Sequence, residues 1–98
     1  MDVTVAVATF GSEEWRNLAY SRAIPSAERE APVVYVHSDS LHAARNEALA
    51  MVETEWVVFL DADDELAPGY VEAMSRGTAD LRAPSVSYVR KFHQPRRS

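Results

Sequence analysis

Three short runs of β-branched and apolar residues recur along the chain: VTVAVATF (3–10), VVYVH (33–37) and EWVVFL (55–60). None alternates strictly between apolar and polar, which fits strands buried on both faces. The stretches between them follow a different period. Gly11 breaks the first run, and Ser12 can cap a helix through Ile24, with Glu13 and Glu14 in the first turn against the helix dipole. Trp15, Leu18, Ala19 and Arg22 keep helical spacing, and Pro25 is expected to end the segment, leaving PSAEREAP as a loop. Leu41, Ala44, Ala48, Leu49 and Val52 mark one face of a helix over 41–53. Pro68 suits the first position of a short helix over 68–76, and PSVSYVRKF supplies a fourth strand. The order β-α-β-α-β-α-β predicts an α/β domain: a small three-layer α/β/α sandwich around a mostly parallel, Rossmann-like sheet with right-handed crossovers.

Composition narrows the class. A length of 98 residues makes one domain, and 47% hydrophobic with 26% charged side chains is the balance of an ordinary globular protein. Cysteine is absent, which excludes disulfides and thiolate metal sites. The longest apolar runs fall far short of the roughly 20 residues of a membrane span. No basic segment precedes an apolar one at the N-terminus, so the expected compartment is the cytoplasm. Charge is distributed unevenly. Residues 1–89 carry 6 basic against 15 acidic side chains, whereas RKFHQPRRS (90–98) carries four basic residues and no acid. The acidic body argues against nucleic-acid binding. The division expected is an α/β domain over 1–89 with a basic, solvated tail over 90–98.

The third run drives straight into four acids, Asp61, Asp63, Asp64 and Glu65. Ligands of open α/β sheets bind at the carboxyl ends of strands, and this cluster stands at such an end. Helix capping accounts for one acid, not four. A calcium loop matches at Asp61, Asp63, Glu65 and Glu72, but Leu66 takes the required glycine position and Pro68 lies inside the loop. Magnesium-dependent phosphotransfer domains also place an aspartate here, yet ATFGS offers no acid after the first strand, and the phosphatase pattern departs at Glu65. These remain minor alternatives. In a nucleotide-sugar site, two carboxylates spaced Asp-x-Asp hold a divalent cation that bridges two phosphates and stabilises a leaving diphosphate.

SLHAARNEALAMVETEWVVFLDADDELAPGYVEAM (40–74) resembles the donor-binding segment of family 2 glycosyltransferases of GT-A fold, with helix, strand, acid motif and proline in the same order. VTVAVATF is similar, more loosely, to that family's first strand. The resemblance implies a truncated GT-A fold and glycosyl transfer from a UDP- or GDP-linked sugar to an unidentified acceptor. It implies that Asp63 binds manganese or magnesium and that Asp61 faces the metal or the ribose. Asp64 would lie towards the donor sugar, Thr9 and Phe10 would line the nucleoside pocket, Arg45 would approach the diphosphate or sugar, and Asn46 would brace the loop. Asp39 reads equally as a base contact or an Asx-turn residue. Trp15 and Trp56 read as packing residues, and His37, His42 and His93 as structural, since they lack metal-ligand spacing.

The chain departs from that pattern in three places. A strand–helix unit with a richer acidic turn is missing between Ile24 and Val33, and Ser40 and Ala48 stand where glycines are common around the Ala-Arg-Asn motif. No carboxylate follows Pro84, so the residue that deprotonates an acceptor hydroxyl is not assigned. The chain therefore reads as a donor-binding portion. A non-catalytic nucleotide- or sugar-binding or interaction module is the alternative. With an uncovered acceptor face, Val86, Tyr88 and Phe92 of the last strand are expected to promote self-association into a homo-oligomer through that strand.

Overall fold

A computed structural model of the chain describes residues 2–76 and 86–90. Strand β1 is Val3–Phe10, and Gly11, at φ 79°, turns the chain out of it. Ser12 then accepts the amide of Glu14 and caps helix α1, Glu13–Leu18, as its side chain predicts. The helix does not stop before Pro25. A π-helical turn, Ala19–Ala23, leads directly into helix α2, Ile24–Glu28. Proline lacks an N–H and its ring crowds the carbonyl four residues back. The wider turn relieves that conflict, with the Ile24 amide donating to the Ala19 carbonyl five residues back. The first half of the expected PSAEREAP loop is therefore helical.

Strand β2 (Val33–Ser38), helix α3 (Leu41–Met51, capped by Ser40), strand β3 (Trp56–Leu60), helix α4 (Tyr70–Ser75) and strand β4 (Val86–Arg90) follow. Helix α4 begins two residues beyond Pro68, after Gly69 at φ 80°. The Glu30 carboxylate accepts the Gly69 and Val71 amides at 3.2 and 3.3 Å, so the α4 start is capped from the loop behind α2.

The sheet order is β2-β1-β3-β4. Strand β1 runs parallel to β2, with Val5 opposite Val33, and parallel to β3, with Val5 opposite Val58. Strand β4 is antiparallel to β3, so the sheet is mostly parallel, as expected, and only the fourth strand departs from the parallel run of the β-α-β-α-β-α-β order. Leu60, the last residue of β3, accordingly pairs with Val86, the first of β4.

Alternate residues of the strands separate two cores. Val3, Val5, Val7, Val58 and Leu60 face the helical segment through Ala19, Ala23 and Ala27, with Tyr70 and Val71 of α4 packed beside them. Ala6 and Val57 face α3 through Ala48 and Val52. This double burial is what β-branched runs without alternation encode, and it gives the expected three layers. Thr4 and Thr9 are the buried polar residues of β1, and the Thr4 hydroxyl lies 2.9 Å from that of Thr54. Among the described residues no helix is long and apolar enough to cross a membrane. Strand β4 lies at a sheet edge and ends on Arg90, the residue expected to open the basic tail. Phe92, His93 and the rest of that tail lie outside the described residues.

Candidate donor-binding site

The chain runs outward from β1 to β2, then back across β1 to β3, and a cleft opens at the carboxyl ends of these strands. Its lining comes from four places: Ala8, Thr9 and Phe10 at the end of β1, Trp15 of α1, Leu41 at the start of α3, and Asp61, Ala62 and Asp63 after β3. The lining therefore combines aromatic and apolar side chains with anionic ones. Phe10 and Trp15 are 44% and 43% exposed, and both line this cleft. Trp15, expected only to pack, is thus available to a ligand.

The acid segment is built by alternating what is buried. The Asp64 amide donates to the Asp61 carbonyl at 3.0 Å, which closes a tight turn. Ala62 and Leu66 point into the core at 4% and 1% exposure and peg the turn to the sheet. The Leu66 amide donates to the buried Ser26 hydroxyl at 2.8 Å, and that hydroxyl donates to the Ala23 carbonyl, also at 2.8 Å. With the apolar residues held inside, the acids have nowhere to go but outward. Carboxylate oxygens of Asp61, Asp63 and Asp64 all lie within 4.8 Å of one another. Opposite oxygens round one ion stand about 4.2 Å apart for magnesium and up to about 5 Å for calcium. The three side chains therefore fit a single hard divalent cation after small rotations.

Electrostatics at the cluster follow from burial and neighbours. The Asp61 carboxyl is pushed above its ordinary value, chiefly by burial and further by Asp63 and Asp64, while Arg45 pulls it down. Arg45 reaches from α3, with its guanidinium 3.7 Å from the Asp61 carboxylate and 5.8 Å from the centre of the Phe59 ring. It is thus neither a free surface arginine nor, in this arrangement, free of the acid. Arg22, on the π-helical turn, donates to the Asp63 carbonyl at 3.4 Å and lies 3.6 Å from the Glu65 carboxylate. Sequence reasoning gave Arg22 only a helical position, since 41 residues separate it from Asp63.

The remaining residues singled out from the sequence fall as follows. The Thr9 hydroxyl, 3% exposed, lies 2.7 Å from both the Tyr35 hydroxyl and His37 Nδ1, so His37 has a structural partner. Tyr20 stacks edge-on against Tyr35 with ring centres 5.3 Å apart. Asp39 is exposed in the turn after β2 and is not among the cleft-lining residues. Asn46 pairs with His42 at 3.2 Å rather than with the acid turn.

A raised folded-state value for Asp61 means that the folded protein holds this proton more tightly than the unfolded chain does. That contribution is complete below the ordinary carboxylate range and is lost as pH rises through the raised folded value. At neutral pH without a cation, Asp61 therefore opposes folding. Asp61→Asn is expected to raise the metal-free Tm at pH 7 relative to the parent and to lose that advantage near pH 3. Asp61 is half-exposed and screened, so the gain stays below about 1 kcal/mol. Melting curves in chelator across pH 3–8 check this, and an Asp61→Asn protein less stable than the parent at pH 7 would contradict it.

Comparison with known proteins adds one finding. A sequence model of the family described as Glycosyl transferase family 2 matches residues 19–97. The match takes in the acid turn, α3 and three of the four strands. No curated protein and no solved structure gives a significant match.

Proposed function

Since the chain belongs to glycosyl transferase family 2, we propose that its cleft binds a nucleoside-diphosphate sugar, UDP- or GDP-linked, together with manganese or magnesium, for glycosyl transfer. One observation carries the reading: three carboxylates gathered within 4.8 Å, two of which, Asp61 and Asp63, line a cleft that also offers Phe10 and Trp15. Carboxylates alone would repel a diphosphate, and aromatic faces alone would not select one. Together, with a cation between, they match a ligand that is flat and apolar at one end and doubly charged in the middle.

In this reading Asp61 and Asp63 hold the cation, with Asp64 beside them towards the sugar. Bound there, the cation supplies Lewis-acid stabilisation of the departing diphosphate. The protein's own groups do the rest. Phe10 and Trp15 take the faces of the base, and Thr9, fixed by Tyr35 and His37, shapes the floor beneath it. Arg45, whose guanidinium lies 3.7 Å from the Asp61 carboxylate, would be the cationic side chain placed to contact the diphosphate.

Thermal melting tests the proposal. Manganese with UDP or GDP should raise the Tm in a concentration-dependent way, since a ligand that binds only the folded state stabilises it by mass action. Neither nucleotide should do so at the same concentration in chelator. A Tm unmoved by every combination of cation and nucleotide would contradict the proposal.

A further inference from the structure

Four acids follow β3, yet only three of them gather; Glu65 lies apart, turned to Arg22. From the geometry we infer that Arg22 is a positioning residue, which grips the acid turn from outside and so keeps Asp61, Asp63 and Asp64 grouped for a cation. The inference rests on the proposed cation site and adds to it a residue from a different part of the fold.

The acid turn is held from inside as well as from outside. Its ends are pegged by Ala62 and Leu66, both in the core, and by the Ser26 hydroxyl on the Leu66 amide. Residues 63–65 lie between these pegs and point outward. The Arg22 side chain reaches them, with one guanidinium arm on the Asp63 carbonyl and Nε beside the Glu65 carboxylate. Two contacts at different points of one short segment fix its orientation, which a single ion pair cannot do, and a planar fork suits that task. The contact depends in turn on the π-helical turn, where the Ile24 amide bonds five residues back. An extra residue in one turn rotates the side chains before it by about 100° relative to those after it. Arg22 lies within that turn, while Ala19, Ala23 and Ala27 stay buried against the sheet.

The sign of the effect separates this role from simple electrostatics. Arg22 is a cation close to a cation site, so removing its charge alone should tighten divalent binding. Removing a group that positions the ligands should weaken it, as loss of supporting groups around metal sites does by about tenfold or more. Titration calorimetry with manganese alone, on the parent, Arg22→Gln and Arg22→Lys, reads this directly. Arg22→Gln is expected to bind manganese about tenfold more weakly, and Arg22→Lys, which keeps the charge but loses the fork, to fall in between. Equal or tighter binding by Arg22→Gln overturns the inference and leaves the cation site standing. Should Arg22→Gln fail to fold by circular dichroism, Arg22→Lys decides alone: weaker binding supports the role, and parental affinity overturns it. A parent protein that binds no manganese overturns the cation site itself, and this inference with it.

Discussion

Asp63→Asn is expected to abolish the cation dependence of nucleotide binding while leaving the fold intact. Asp63 is exposed, lines the cleft and contributes nothing to either core, so an amide of the same size costs little stability. An amide oxygen is, however, a neutral and weaker donor to a hard cation than a carboxylate. Manganese affinity should fall by about a hundredfold, the upper end of what loss of a supporting group costs, because here a ligand itself is changed. Calorimetry with UDP, with and without manganese, would show two superimposable isotherms for the variant and distinct ones for the parent. A variant that kept metal-dependent affinity would return the acids to a capping or solvated role.

The largest effect on stability is expected at Leu66. It is 1% exposed and heads the largest fully buried side chains, sealing the sheet beneath the acid turn. Leu66→Ala removes that contact and leaves a cavity, at a cost of about 2–5 kcal/mol. For a domain of this size the Tm should fall by more than about 10 °C. The same substitution loosens the peg at one end of the acid turn, so cation affinity should fall with stability, unlike in Asp63→Asn. Urea unfolding monitored by circular dichroism provides the first measurement and manganese titration the second. A loss below about 1 kcal/mol would show that the turn is not anchored through the core.

Much of this fold is written in local patterns. The strands were legible because burial on both faces demands β-branched runs, and the two cores indeed take alternate residues of β1. The cap at Ser12 was legible for a local reason, a short hydroxyl one residue before a helix; Ser40 caps α3 in the same way but was read only as standing at a glycine position. Helix α2 was hidden, because the rule that proline ends a helix holds for ordinary turns and not for a π-helical one. The antiparallel direction of β4 was hidden, since the residues of a strand do not specify which way it runs against its neighbour.

The site divides in the same way. Asp61, Asp63 and Asp64 were legible from charge excess, because four adjacent acids exceed any capping need. Thr9 and Phe10 were singled out only through the family resemblance, and both line the cleft. Arg22, Trp15 and Leu41 were not legible, as each joins the site only through tertiary folding of an element remote in sequence. Asp39 stands at a strand end, as read, but the cleft as formed does not include it.

In the proposed function the acid turn holds a cation between the protein and a diphosphate. Anomalous scattering at the manganese absorption edge, from crystals soaked with manganese and UDP, tests it most directly. A single strong peak is expected within ligand distance of Asp61 and Asp63, with the diphosphate on its far side and the base between Phe10 and Trp15. A bound nucleotide with no peak at these carboxylates, or a peak elsewhere on the protein, would contradict it.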